Sequence, residues 1–198
     1  MNNGCFYYQM WGFQRANNGD LSEAGITGLP MPPPPPGYSI YIPMFSAADP
    51  AASYVAVSME AAVPPGCSSG VPIQVGSFGA NAKGNLSTTN TYENMPNTAF
   101  SAVNDMKISP AGTLLAVAGM EGLQIFHFNG ANPPTSYTGL LTADSISQMF
   151  WDDSNHLYAI SQSAGMLHVF TITPTAAREA PGSPYIINQP LWIAVKDK

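Results

Sequence analysis

The chain has 198 residues, only 9% of them charged, with six basic and twelve acidic side chains and a net charge of −6. Six scattered cations make no basic stripe for nucleic acid or for an anionic membrane surface. No run of about 18 apolar residues is present, so no membrane-spanning helix is expected. Glycine (18), proline (19) and 11% aromatics within 45% hydrophobic content describe turn- and strand-rich material with enough apolar mass for a core.

From the start, Met1 to Tyr8 lacks a basic region and an apolar helical segment, so it does not read as a secretory signal. The two cysteines, Cys5 and Cys67, define no disulfide framework; one bridge and two free thiols are both open. Tyr8-Gln9-Met10-Trp11-Gly12-Phe13 reads as a short strand, and Asn18-Gly19-Asp20-Leu21-Ser22 as a turn handing over to the next. Met31 to Gly37 contains five consecutive prolines and favours polyproline II. A stiff connector is the preferred account, ahead of a ligand for a proline-recognising domain. Asp49-Pro50-Ala51-Ala52 reads as a turn, Tyr54 to Ser58 as a strand, and Ala61 to Gly70 as an inserted loop.

The pattern then repeats. Ile73 to Phe78, Leu123 to Phe128 and Leu167 to Ile172 align with Tyr8 to Phe13, and Lys83-Gly84-Asn85-Leu86-Ser87 aligns with the Gly-x-Leu-Ser turn. Leu114 to Ala118 and Leu157 to Ser161 align with Tyr54 to Ser58, each behind a turn, Ser109-Pro110-Ala111-Gly112 or Asp152-Asp153-Ser154-Asn155. Short leading strands precede those turns at Asp105 to Ile108 and Gln148 to Trp151, and Leu191 to Asp197 looks like one more. The unit is four antiparallel strands in roughly 45 to 65 residues, the size of a β-propeller blade. Its strands are apolar on both faces, as blades packed between neighbours require. The expected fold is therefore an all-β propeller of about four blades, three complete with partial ends. Its approximate units are residues 1–38 (partial), 39–103, 104–146, 147–190 and 191–198 (the start of another). Beginning at a third strand and ending at a first, the chain is expected to be part of a larger propeller, a reading preferred to a closed four-bladed ring.

Ile108-Ser109-Pro110-Ala111-Gly112-Thr113-Leu114-Leu115-Ala116-Val117 resembles the Ser-Pro-Asp-Gly-x-x-Leu-x-Val signature of the lactonase-type seven-bladed propellers, the 6-phosphogluconolactonase-like and YVTN-repeat proteins. Asn18 to Leu21, Lys83 to Leu86 and Ala180-Pro181-Gly182-Ser183-Pro184-Tyr185 resemble further segments of that family. The resemblance implies blades around a central channel with sites on one channel face, and in some members an activity on sugar or aromatic lactones. The signature's Asp is replaced by Ala51 and Ala111, and no residue matches a catalytic position of the lactonases, so none is carried over. Motifs of this kind specify fold better than activity.

No phosphate loop, nucleophile elbow or zinc spacing is present, and no cofactor or metal is expected. His127 and His168 lie three repeat positions apart, on opposite strand faces, and His156 follows a turn; packed or solvated roles suit them best. The Asp152 to Asn155 segment lacks the spacing of a calcium loop. Four candidate ligand-binding residues remain. Lys107 and Trp151 lie on leading strands, which line the channel of a propeller; Lys107 suits an anion contact or a snorkelling role equally. Glu60 and Glu121 follow second strands where loops begin, and solvated loop carboxylates are the plainer account of both. The leading functional expectation is a binding or interaction scaffold. Its partner would be a small carbohydrate-like or lactone ligand or another protein, and a surface poor in Lys and Glu points outside the cytoplasm. The alternative is a lactone hydrolase with its site on the channel face.

Overall fold

A computed structural model describes residues 13–23, 31–63, 72–82 and 84–195. Cys5, Cys67, Lys83, most of the strand expected at Tyr8 to Phe13 and most of the inserted loop after Ala61 lie outside them. Among the described residues there are only strands and turns. A hairpin of β1 (Phe13–Arg15) and β2 (Leu21–Glu23) comes first. The first full blade is β3 (Ile40–Ala48), β4 (Tyr54–Ala62), β5 (Gln74–Ala80) and β6 (Leu86–Ser87). The second is β7 (Val103–Ile108), β8 (Leu114–Gly119), β9 (Gly122–Asn129) and β10 (Asn132–Leu140). The third is β11 (Gln148–Trp151), β12 (His156–Ser161), β13 (Met166–Thr173) and β14 (Ala176–Glu179), with β15 (Tyr185–Ile186) added on β13. Each blade is an antiparallel meander in chain order, which needs only short hairpins between most neighbours. The outermost β10 carries Pro133 and Pro134, which an edge strand tolerates because one side of it has no ladder to feed.

Alternate residues of one strand face different neighbours. Leu115, Val117 and Phe126 of the second blade pack with Ala56 and Val75 of the first. Leu114, Ala116, Leu123 and Ile125 pack with Met149, Leu157, Ala159 and Phe170 of the third. A fully buried large aliphatic side chain contributes about 1.5–3 kcal/mol, against at most about 1 kcal/mol for an exposed ion pair, so these faces hold the blades together. The proline segment packs as a polyproline helix should: Pro32 and Pro35 are buried and Pro33 and Pro36 exposed, a period of three. Met31 and Tyr38 at its ends rest on the core of the first blade, so the segment is a docked connector between β2 and β3.

The ladders correct two details of the sequence alignment. Phe78, Phe126 and Phe170 are the true equivalents, paired with Val55, Leu115 and Leu157. Ile73 to Phe78 is therefore displaced by two residues from the alignment with Leu123 to Phe128. Matching backbone ties confirm this: the N–H groups of Ser77, Ile125 and Val169 donate to side-chain oxygens of Asn90, Thr138 and Ser183 at 3.0, 3.0 and 2.9 Å. The third blade also closes its first hairpin one residue sooner, from Asp152 to His156, than the Asp49 to Tyr54 and Ser109 to Leu114 hairpins do. Leu157 is consequently the counterpart of Leu115. Strands apolar on both faces carry no alternation to mark such slips.

Those three hairpins share one design. The side chain of the first turn residue accepts backbone N–H groups: Asp49 from Ser53 and Tyr54, Ser109 from Leu114, Asp152 from Ser154 and His156. The fourth residue takes a positive φ, 52° at Ala52, 69° at Gly112 and 65° at Asn155. Glycine adopts this conformation freely and Asn tolerates it, whereas Ala is strained there.

One expected element is not formed. Residues 191–195 are not in a strand, and Trp192 is 80% exposed. A leading strand is held by pairing with a second strand, and none of the described strands pairs with this segment.

Candidate functional site

Each blade has a turn end, with the hairpins just described, and a loop end, where second and third strands join and where one blade passes to the next. β7 starts beside Gly119 at the loop end and finishes beside Leu115 at the turn end. Lys107 and Trp151 therefore stand at the turn end. The Lys107 Nζ is 3.2 Å from Asp105 Oδ1, with 47% of its side chain exposed. The Trp151 indole N–H donates to the Lys107 carbonyl at 3.3 Å, and its ring is buried in the core between the second and third blades. Glu121 lies in the β8–β9 turn and Glu60 near the end of β4, both at the loop end but in different blades. The four residues thus fall into two sets, a strand's length or roughly 15–20 Å apart.

The loop end holds the denser polar groups. The Glu121 carboxylate accepts the Ser101 N–H through both oxygens, at 3.2 and 3.1 Å, and also the Ser101 hydroxyl. The bond from the Ser101 hydroxyl, with backbone N–H groups of Ser101 and Glu121, outweighs the opposing effect of burial and holds the Glu121 carboxyl below its ordinary value. In the first blade the Tyr41 hydroxyl donates to Gln74 Oε1 at 2.5 Å, and the Gln74 amide donates to the carbonyls of Tyr92 and Met95, both at 3.0 Å. Burial, with Tyr92 and Glu93 nearby, pushes the Tyr41 phenol up to about 12. In the third blade His168 lies between two acids. Its Nε2 is 3.1 Å from Asp144 Oδ2 and its Nδ1 3.0 Å from Glu179 Oε1. The acids sit on opposite edges of the ring, so the three groups do not converge on one point. Among the described residues no three His, Cys, Asp or Glu side chains are grouped to hold a metal ion.

The remaining histidines belong to other places. His127 faces Tyr137, ring centroids 4.5 Å apart, and His156 at the turn end has its Nδ1 2.8 Å from Asp152 Oδ2. Burial raises the Asp152 carboxyl, but hydrogen bonds from the His156 and Ser154 backbone, together with the His156 ring, outweigh it and hold the group below its ordinary value. Sequence reasoning missed Asp144 and Glu179 as partners of His168, and Ser101 as the partner of Glu121. They lie 24, 11 and 20 residues away along the chain, beyond any local pattern.

A scan of protein-family models finds no match, and a search of curated proteins finds none. Solved structures do match. The chain is similar to a protein from Lactobacillus plantarum, with TM-score 0.60 and 13% identity over 90% of this chain and 50% of that one. It is also similar to a presumed 6-phosphogluconolactonase from Bacteroides fragilis, with TM-score 0.51 and 12% identity over 90% of this chain and 65% of that one. At such identities the likeness shows the fold alone, a β-propeller of four-stranded blades. The chain spans between half and 65% of the length of these two structures.

Proposed function

We propose that this propeller is a binding scaffold whose loop end takes a small, uncharged, hydroxyl-rich ligand, a carbohydrate or a lactone, without hydrolysing it. The observation that carries this reading is the state of the candidate groups. Both His168 nitrogens face carboxylates, the Glu121 carboxylate is held by Ser101, and Lys107 is paired with Asp105. A general base needs a lone pair aimed at the substrate's proton; these contacts direct the groups at protein partners, while the carboxylate oxygens keep further acceptor sites for a ligand's hydroxyls. The charge of the loop end supports the ligand class. Glu60, Glu93, Glu121 and Asp144 lie there, with Glu179 reaching up from β14, while Lys107 lies at the turn end with Asp49 and Asp152. Carboxylates accept hydrogen bonds from sugar hydroxyls and repel phosphates. The low Lys and Glu content supports a place outside the cytoplasm.

A lactone hydrolase is the second reading, favoured by the activity attached to the Bacteroides fragilis neighbour. One pair of measurements separates the two. The protein is titrated with glucono-1,5-lactone and with glucose, following backbone amide shifts, while lactone opening is followed by pH-stat. The scaffold reading expects saturable shifts at Ser101 and its neighbours, with lactone opening at the spontaneous rate. Saturable acceleration of lactone opening would establish the hydrolase instead, and an absence of amide shifts would remove the ligand class.

A further inference from the structure

We infer that the Tyr92 ring and the Glu93 carboxylate form a pyranose platform on the rim of the first blade: the ring stacks on the sugar's C–H face and the carboxylate accepts its hydroxyls. This rests on the ligand class proposed above. It places the ligand at the outer edge of the loop end, away from the leading strand β3, because β3 and β6 are opposite edges of the blade.

The platform is built where the fourth strand gives out. β6 has only two residues, Leu86–Ser87. Beyond it the chain still follows the outer side of β5, where the Ser77 N–H donates to Asn90 Oδ1 and the Val75 N–H to the Pro96 carbonyl, both at 3.0 Å. Between these two ties lies a tight turn. The N–H groups of Asn94 and Met95 both donate to the Thr91 carbonyl, at 3.2 and 3.1 Å, and the Thr91 N–H donates to Asn94 Oδ1 at 2.7 Å. From beneath, the buried Gln74 amide holds the carbonyls of Tyr92 and Met95 while its oxygen receives the Tyr41 hydroxyl. The Met95 side chain enters the core of the first blade. A turn bound at three carbonyls and anchored by a buried side chain presents its outer residues in one arrangement, which lowers the ordering cost of binding.

Those outer residues are Tyr92, with 40% of its surface exposed, and the exposed Glu93. Burial, then Tyr92, then Glu93 raise the Tyr41 phenol, so the ring and the carboxylate both come close to that one hydroxyl and lie on the same side of the turn. Glu93 also differs from other carboxylates of the loop end. Glu121 is held by Ser101, and Asp144 and Glu179 face His168. The Glu93 carboxylate takes no hydrogen bond or ion pair from the described residues, so both of its oxygens stay open to hydroxyl donors. The negative face of an aromatic ring attracts polarised C–H groups. A pyranose with equatorial hydroxyls offers both partners at once, a face of C–H groups and a rim of O–H donors. An open-chain polyol offers the donors without the fixed face.

The test is a titration of the full chain with methyl β-D-glucopyranoside and, separately, with sorbitol, following backbone amide shifts. Saturable shifts are expected at Tyr92, Glu93 and Asn94 with the glucoside, with sorbitol weaker by roughly tenfold. Tyr92→Ala should weaken the glucoside by roughly tenfold and Glu93→Gln by roughly threefold. Equal affinity of parent and Tyr92→Ala for the glucoside overturns the platform, as does equal affinity of the parent for glucoside and sorbitol. If Tyr92→Ala does not fold, parental affinity in Glu93→Gln overturns it. Saturable shifts at Ser101 that leave Tyr92 to Asn94 unmoved overturn the platform but leave the scaffold reading standing; with no shift at any loop-end amide, both fall.

Discussion

At the turn end of the blades, Asp49, Ser109 and Asp152 perform one task in three loops of different sequence: a side-chain oxygen receives the backbone N–H groups that the hairpin leaves unpaired. At the loop end the ties change from blade to blade, from Tyr41 with Gln74, to Glu121 with Ser101, to His168 with two acids. Every hairpin must satisfy its own backbone whatever the protein binds, so the turn end converges on one solution. The loop end is under no such common demand. That contrast directs the search for individual function to the loop end, although loop residues there are not all free to change.

The sharpest challenge to the contrast is Gly122→Ala, at the loop end. Gly122 has φ of 137°, and an added Cβ would lie 1.9 Å from the Thr142 carbonyl oxygen. We expect a loss of roughly 3 kcal/mol or more, read as a lower urea midpoint. An unchanged midpoint would mean that this crossing of the β8–β9 turn by the next connection is loose.

Asp152→Ala comes next. It removes the acceptor of two backbone N–H groups at 2.9 and 2.8 Å, together with the contacts to the His156 ring and the Tyr158 hydroxyl. A loss of about 2 kcal/mol is expected. The sign with pH follows from the lowered carboxyl. Its stabilisation is complete above the ordinary value near 3.8 and is lost as the pH falls through the lower folded value. Acid unfolding curves of parent and variant should therefore converge below that value, and curves that stay parallel would refute the assignment.

Ala52→Gly should move stability the other way. It relieves a positive φ of 52° at the position where the second blade already has Gly112. A gain of about 0.5–1 kcal/mol is expected from differential denaturation, and a loss would show that the turn end is not a shared design after all. The smallest effect belongs to Glu121→Gln, whose contacts are exposed. The melting temperature should hold while hydrogen exchange at the Ser101 amide accelerates. In the parent the protection of that amide, taken relative to the intrinsic exchange rate at each pH, should fall in acid, because the carboxyl titrates below its ordinary 4.5; protection that survives both changes would remove Glu121 as the tie.

The repeat itself was legible in residue order. Alternating short apolar runs and Pro, Gly or Asp turns define four-stranded units because each strand and hairpin is a local object, determined by residues within a few positions of one another. The chemistry of the turn at Asp152 and the extended form of Met31 to Gly37 could be read for the same reason. Register could not, because strands buried on both faces present no alternation that a shift of one or two residues would violate. Nor could the partners of His168 and Glu121 be read, since only the folded arrangement of strands and connections decides which distant carboxylate meets which donor. Leu191 to Val195 marks the same boundary from the other side: its sequence suits a leading strand, but a strand exists only where a neighbour supplies the ladder.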